Sequence, residues 1–228
     1  MPARLADLQG NVNLGIDNTL AANTSANIAI GNMNTTDSWG IAVGSNNTAK
    51  NNSIIVGRDN SGNDSHVIVG ANNTATTPRY RQAIGTGNFV FGVHNTVEGD
   101  GSVVIGRANT ATSENPHQPN TIIGNSSTAE GNGIVIGSSS MATSGNIAIG
   151  NYVRAIGTPS AVDPNNIFTF LHSDAKRGAD SLVSFGSRQL TGVAPDAMTE
   201  TSTNAVNGAQ LYSVAKEAMR HSTVAAEP

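Results

Sequence analysis

The chain has 228 residues, of which 12% are charged and 4% aromatic, and its formal net charge is −4 at pH 7. This weak, dispersed charge provides no basic surface for nucleic acid. No apolar run reaches the roughly 18 residues of a membrane-spanning helix. The absence of cysteine excludes disulfides, thiolate catalysis and cysteine-based zinc sites.

Residues 1–10 lack the basic and then apolar pattern of a signal peptide, and we assign them to a leader or an added segment. Residues 11–160 contain a repeat in which an aliphatic triplet ends in glycine, as in Asn27–Gly31 and Ser53–Gly57. From Gly31 to Gly70 this glycine recurs at every thirteenth position. A fixed period of this kind predicts a solenoid built from equivalent coils.

Asparagine recurs three residues after the glycine, and serine replaces it at Ser127 and Ser140. The asparagines of this column are Asn18, Asn34, Asn47, Asn60, Asn73, Asn88, Asn95 and Asn109. Thr or Ser follows, and then a mostly small residue such as Ala129 or Ala142. Each coil is therefore predicted to be a β-branched strand, a Gly-Asn corner in the left-handed conformation, a short strand and a turn. We expect the asparagines to form a side-chain ladder between coils.

The aliphatic strands carry apolar residues at both alternating positions, which is typical of a strand covered on both faces. The Thr-Ala strands instead keep one polar face. One sheet of the roll therefore needs a cover from outside, and a second copy of the chain is the simplest one. The pattern predicts an all-β parallel roll that forms a homo-oligomer.

Two departures from the period predict exposed insertions. The step from Gly106 to Gly124 is five residues longer than the period, which places the extra residues within Ser113–Asn120, a segment that contains His117. The step from Gly70 to Gly92 is nine residues longer, and the extra glycine Gly85 leaves the register open near residues 76–92.

Arg79, Tyr80 and Arg81 combine residue types enriched at binding hot spots. With His117 they are the candidate ligand-binding residues, and the alternative is an ordinary solvated loop.

After residue 160 the composition changes. We assign residues 161–203 to the end of the head and a neck, and residues 204–228 to a neck helix and the start of a coiled-coil stalk. Leu211, Val214 and Ala218 have the spacing of a heptad seam, although a helix this short is marginal alone.

Two segments of this region form a paired motif. The first contributes Arg188, Gln189, Leu190, Thr191, Val193 and Ala194, and the second contributes Ala205, Val206, Asn207, Ala209, Gln210 and Leu211. With the glycine-anchored repeat, this motif resembles the heads and necks of bacterial trimeric autotransporter adhesins of the YadA-like type. Gly192 and Gly208 depart from the family's usual Asn and Val, and Asn204 stands where Asp is common.

The resemblance implies a left-handed β-roll head, a homotrimer, and a neck in which these residues clamp the three chains together. It further implies a bacterial cell-surface protein that binds extracellular-matrix proteins or cell-surface receptors of a host. The family is held in the outer membrane by an anchor domain, which we do not find in this sequence. The family's collagen-binding repeats are only approximated here, since Asn27–Gly31 lacks their Ser-Val pair.

The five histidines share no spacing used by metal sites or catalytic triads, so we expect no enzyme activity, no metal and no cofactor. Two other functions stay open. A passive spacer of a surface fibre would share the fold but lack a ligand. A hexapeptide-repeat acyltransferase is also a trimeric parallel β-helix, but it is built from six-residue steps, three of them to a coil.

Overall fold

The computed structural model describes residues 10–22, 24–77, 87–113, 118–157, 182–195, 197–199, 202 and 204–224, with side chains up to residue 221. The chain divides into two compact units. The first consists of Met1–Thr158 and Ser181–Gly186, and the second of Pro159–Asp180 and Ser187–Pro228.

The described part of the first unit contains two parallel sheets, which confirms the predicted solenoid. The long-strand sheet consists of β1 (Val12–Ile16), β3 (Ile28–Asn32), β5 (Ile41–Ser45), β7 (Ile54–Arg58), β9 (Val67–Ala71), β11 (Phe89–Val93), β13 (Val103–Arg107), β15 (Thr121–Asn125), β17 (Ile134–Ser138), β19 (Ile147–Ile149) and β21 (Val183–Ser184). The short-strand sheet consists of β2 (Thr19–Leu20), β4 (Thr35–Thr36), β6 (Thr48–Ala49), β8 (Ser61–Gly62), β10 (Thr74–Thr76), β12 (Thr96–Glu98), β14 (Thr110–Thr112), β16 (Thr128–Glu130), β18 (Met141–Thr143) and β20 (Arg154–Ala155). The second strand of each coil has two or three residues.

The glycines of the repeat pair with one another across the long-strand sheet. Gly44 faces Gly57, and Gly57 faces Gly70. A Cβ added to Gly57, whose φ is 138°, would lie 1.8 Å from the carbonyl oxygen of Gly70. Glycine is required here because the next coil approaches too closely for any side chain.

The register near residues 76–92 is now fixed, because Gly70 pairs with Gly92 and β9 with β11. Gly85 lies outside the described residues. The other departure from the period is resolved by the pairing of Gly106 with Gly124.

The predicted asparagine ladder is present. Asn60 illustrates it: its Nδ2 donates to Oδ1 of Asn47 at 3.0 Å and to the carbonyl oxygen of Gly70 at 2.8 Å. The Oδ1 of Asn60 accepts in turn from the backbone N and Nδ2 of Asn73 at 3.0 and 2.9 Å. Each buried amide therefore links three successive coils.

A second polar column lies immediately before the long strands. Its members are Asn11, Asn27, Gly40, Ser53, His66, Asn88, Ser102, Asn120, Gly133 and Asn146. In most coils the side chain accepts from the backbone N of the equivalent residue one coil later, as Asn88 Oδ1 does from Ser102 at 2.8 Å. The assignment of Asn88 to the first column was therefore wrong, because the pairing of Gly70 with Gly92 makes Asn95 the residue that follows Asn73.

The left-handed region was predicted for both the glycine and the asparagine of the corner, and only the glycine has a positive φ, as at Gly44 with φ 126°. The residue immediately before each ladder position also has this conformation, including Met33 at φ 54° and Ala108 at φ 53°, and Tyr152 at φ 58° stands before Val153 at the equivalent position. The ladder asparagines are retained for their side-chain amides instead.

The core lies between the two sheets, and most strands contribute one buried side chain to it. Ile55, Ile68 and Ile122 are fully buried on the long strands, and Ala129 and Ala142 are fully buried opposite them on the short strands. Where a large side chain projects from one sheet, the other supplies a small one: Gly62 lies between Ile55 and Ile68. The predicted column of small residues thus lines a narrow interior.

The two edges of the roll differ in regularity. From β1 to β18, two residues join each long strand to the following short strand. The opposite connections vary: four residues separate β4 from β5, twelve separate β10 from β11, and eight separate β14 from β15. We call this second side the insertion edge.

The described part of the second unit is largely irregular until α1 (Gly208–Val224). Asn207 and Gln210 form a reciprocal cap at its start: Asn207 Oδ1 accepts from the Gln210 backbone N at 3.0 Å, and Gln210 Oε1 accepts from the Asn207 backbone N at 3.2 Å. This is the capping box that fixes a helix start.

Candidate functional site

The four candidate loop residues, Arg79, Tyr80, Arg81 and His117, lie outside the described residues. The topology still locates the segments that contain them. Residues 78–86 connect β10 to β11, and residues 114–117 connect β14 to β15. The described residues that flank both segments therefore lie on the insertion edge, with the corner between β12 and β13 separating them.

That separating corner contains Asp100, which is 3% exposed. Thr77, at the start of the first insertion, donates its hydroxyl to Asp100 Oδ1 at 2.9 Å. Oδ2 of Asp100 is buried without a hydrogen-bond partner. Asp100 thus ties the start of the first insertion to the next coil.

A polar groove of about 890 Å³ lies beside the ends of the second insertion, Ser113 and Gln118. Glu98 and Glu130 line it, and both pair with Thr112, which lies between them in the short-strand sheet. Two strand spacings place their backbones roughly 10 Å apart. The groove presents hydroxyls, amides and two carboxylates.

The outer face of the long-strand sheet carries a row of partly exposed large apolar residues. Alternate residues of these strands point away from the core, and several large ones are 37–45% exposed. They are Ile30, Ile54, Val56, Phe89, Phe91, Ile105, Ile123 and Ile136. The rings of Phe89 and Phe91 stack with centroids 5.1 Å apart. We call this surface the outer face.

The neck residues divide between the two sides of a turn. Arg188, Gln189, Leu190 and Thr191 are exposed and in no helix or strand. Across the turn, Asn207 Nδ2 donates to the Val193 carbonyl at 3.0 Å, so the two halves of the paired motif are in contact.

The apolar positions beyond this turn face solvent. Ala205 is exposed, and Val206 and Leu211 are 54% and 64% exposed. Val214, the next position of the predicted seam, is also exposed.

The histidines are dispersed. His66 is fully buried in the second polar column, whereas His94 and His221 are exposed. Among the described residues, no group of three His, Cys, Asp or Glu side chains could hold a metal ion. The helix of the described residues is not long and apolar enough to cross a membrane.

The fold defines the class of the protein: a parallel β-solenoid followed by a C-terminal helix. Comparison of the chain with protein-family models and with curated proteins finds no match.

Proposed function

We propose that this chain is the head and neck of a bacterial surface adhesin, acting as a homotrimer that binds extracellular-matrix or cell-surface molecules of a host and mediates attachment. Its place is the cell surface, held at the outer membrane by an anchor domain outside these residues. The family resemblance of the paired neck motif supports the class. The exposure of apolar side chains on the outer face is the observation that supports assembly into a trimer.

The outer face supports assembly because soluble monomers rarely expose contiguous apolar patches beyond a few hundred Å². Its aliphatic and aromatic rows extend along most of the roll, from Ile30 to Ile136. Covering such side chains contributes about 25 cal/mol for each Å² removed from water. A second and third copy would present the same apolar rows.

The neck adds a second reason for three copies. Leu211 and Val214 are exposed at the heptad positions of α1, and a seam of this kind becomes buried when helices associate. The residues proposed as the trimer clamp are Arg188, Gln189, Leu190, Thr191, Val193, Ala205, Val206, Asn207, Gln210 and Leu211.

The number of residues in each coil argues against the acyltransferase alternative. Its family needs three six-residue steps in each coil, whereas Gly44, Gly57 and Gly70 pair in register at every thirteenth position. The passive spacer differs from the adhesin only in lacking a ligand, and the binding experiment below distinguishes the two.

Assembly is tested by sedimentation equilibrium at micromolar concentration, where we expect a trimer. Ile123→Asp places a charge on the outer face and should dissociate it. Thr96→Asp, on the exposed face of a short strand, is the matched control and should remain trimeric. A stable, folded monomer of the unaltered chain contradicts the proposed assembly.

Adhesion is tested by screening the purified chain against collagens, fibronectin, laminin and host cells. Deleting residues 78–86 and 114–117 is compared with deleting one whole coil of the repeat. We expect binding to at least one of these targets and its loss in one of the two deletions. Absence of binding to all of them would identify a passive spacer.

A further inference from the structure

Trp39 is the only tryptophan of the chain. It lies on the insertion edge, in the corner between β4 and β5, and it is 57% exposed. Its backbone is in the left-handed region, with φ 63°. For a bulky residue this conformation is an outlier that strains the backbone.

The same corner in other coils shows which residues the backbone prefers. Two residues before the long strand stand Asn52 at φ 65°, Ser65 at φ 54°, Gly101 at φ 70° and Asn132 at φ 69°. These are small or polar residues, several of which tolerate the left-handed region well. Trp39 gains little core packing in return, since most of its side chain is exposed. The described residues of the first unit therefore give no structural reason for tryptophan at this position.

The surroundings of Trp39 are polar and of mixed charge. Asp37 precedes it, and Lys50, Asn51 and Asn52 occupy the corresponding corner of the next coil, with coils stacked about 4.8 Å apart. Asp64 belongs to the coil after that. We call these six residues the Trp39 patch.

Local hydrogen bonds orient its carboxylates. Ser38 donates its hydroxyl to Asp37 Oδ1 at 2.9 Å, and Asn51 Nδ2 donates to Asp64 Oδ1 at 2.9 Å.

We propose that the Trp39 patch binds a neutral pyranose unit of a glycan. The face of an indole carries a partial negative potential and attracts the weakly positive C–H groups on the apolar side of a sugar ring. Carboxylate and amide groups around it supply acceptors and donors for the hydroxyls at the rim of the ring. This inference rests on the proposed adhesive function and names a ligand class for it.

Other ligand classes fit the patch less well. Beside the indole, the corresponding corner of the preceding coil offers an extended apolar ligand only small alanine side chains such as that of Ala26. The presence of both Asp37 and Lys50 gives no strong field of one sign, so a highly charged ligand gains little. A neutral, hydroxyl-rich ligand uses the indole, the carboxylates and the amides together.

The single tryptophan makes the test direct, because its fluorescence reports from the patch without a label. The full chain is titrated with maltotetraose, chitotetraose and lacto-N-neotetraose. We expect at least one of these to shift the emission to shorter wavelength and to protect Trp39 from acrylamide quenching. No response to all three at millimolar concentration overturns the proposal. If acrylamide cannot reach Trp39 in the unliganded assembly, the residue is a subunit contact and the proposal is wrong.

Trp39→Asn separates a binding role from a structural one. Asparagine stands at the equivalent position 52, so the variant should melt no lower than the unaltered chain, yet its binding measured by saturation-transfer NMR should weaken roughly tenfold or more. Trp39→Phe should retain part of the binding. Tyr152→Asn relieves the same backbone conformation on the opposite edge and should leave sugar binding unchanged.

A lower melting temperature of Trp39→Asn with unchanged sugar binding would assign Trp39 a purely structural role. The result of the sugar-binding test can also be distinguished from the result of the adhesion screen. If the chain attaches to matrix proteins or cells but binds no sugar, only the Trp39 patch is refuted. If it binds neither, the adhesive function fails as well.

Discussion

His66 is the one imidazole among the described side chains that link coils at the start of the long strands. Its Nδ1 accepts from the backbone N of Asn88 at 3.0 Å, and its Nε2 is buried without a partner. Because Nδ1 is an acceptor, the ring is neutral and carries its proton on Nε2. Burial lowers the pKa of His66 from 6.5 to about 4, and the nearby carboxylate of Asp64 opposes this shift only in part.

The buried imidazole predicts that the head loses stability in acid. Between pH 6.5 and pH 4 the unfolded chain protonates this histidine and the folded chain does not, so the free energy of unfolding falls as the pH falls. The loss is on the order of 3 kcal/mol across this window, since each pH unit between the two pKa values corresponds to about 1.4 kcal/mol. Denaturant midpoints measured from neutral pH down to the folded-state pKa check this.

His66→Asn should flatten the profile, because asparagine occupies the same column at Asn27 and Asn88 and does not titrate. His94→Asn is the matched control: His94 is exposed, so the slope of the unaltered chain should persist. If His66→Asn keeps the full slope, other groups cause the acid sensitivity.

The residues that sequence reasoning misplaced show which information a single chain lacks. Asn88 follows Gly85 at the spacing of the repeat, so only the pairing of Gly70 with Gly92 reveals that it belongs to the other column. The left-handed conformation of the residue before each ladder position could not be predicted from the sequence, because the residue type there varies from Met33 to Tyr152. Backbone hydrogen bonds to the preceding coil hold it there, as Met33 N donates to the Ile16 carbonyl.

At the scale of the element, one corner of the coil is nearly constant because two constraints act on positions three residues apart. The glycine is required by the close approach of the next coil, and the asparagine three residues later satisfies buried backbone groups of its neighbours. Both constraints recur in most coils, which is why the period and the first ladder could be predicted. The second column mixes Asn, Ser, Gly and His, so it leaves no repeating letter in the sequence.

Removing one amide from the first ladder should weaken the roll. Asn60→Ala deletes the bonds to Asn47, Gly70 and Asn73 and leaves buried polar groups unpaired, at about 1–3 kcal/mol for each group without a partner. Asn60→Ser should cost less, since Ser127 already fills the column and donates to the Gly137 carbonyl at 3.1 Å. Chemical unfolding monitored by circular dichroism measures both.

Asn32→Ala provides the comparison for this series, because Asn32 is exposed on β3 and alanine occupies the equivalent position 71. We expect its unfolding midpoint to stay within the range of ordinary surface substitutions, about 0.5 kcal/mol. Equal losses for Asn60→Ala and Asn32→Ala would mean that the ladder contributes nothing beyond the backbone pairing.

At the scale of the whole molecule, the two edges and the outer face of the roll differ in structure and in the role we expect for each. On the edge that contains the Gly-Asn corners, the connections have two residues from β1 to β18, and their hydrogen bonds hold successive coils together. On the insertion edge the connections vary in length, as expected where side chains are free to serve recognition. Among the residues that the structure describes, the large side chains of the outer face remain 37–45% exposed. The sequence indicated this uncovered face from its doubly apolar strands, but the single large side chain at Trp39 gave no periodic signal.

The final prediction concerns the second unit, which contains the neck motif and α1. If the motif clamps three chains together, truncation after Ser187 removes both the clamp and the exposed seam at Leu211 and Val214. The first unit ends at Gly186, and its backbone pairing and side-chain ladders lie between coils of one chain, so the truncated head should keep its β-type circular dichroism. We expect it to dissociate in sedimentation, or to melt more than about 5 °C lower, the shift produced by a loss of roughly 2 kcal/mol. Leu211→Asp in the full chain should act in the same direction, while Ser213→Asp, outside the predicted seam, should have little effect. A truncated head that stays trimeric and melts at the original temperature would show that the outer face alone holds the assembly together.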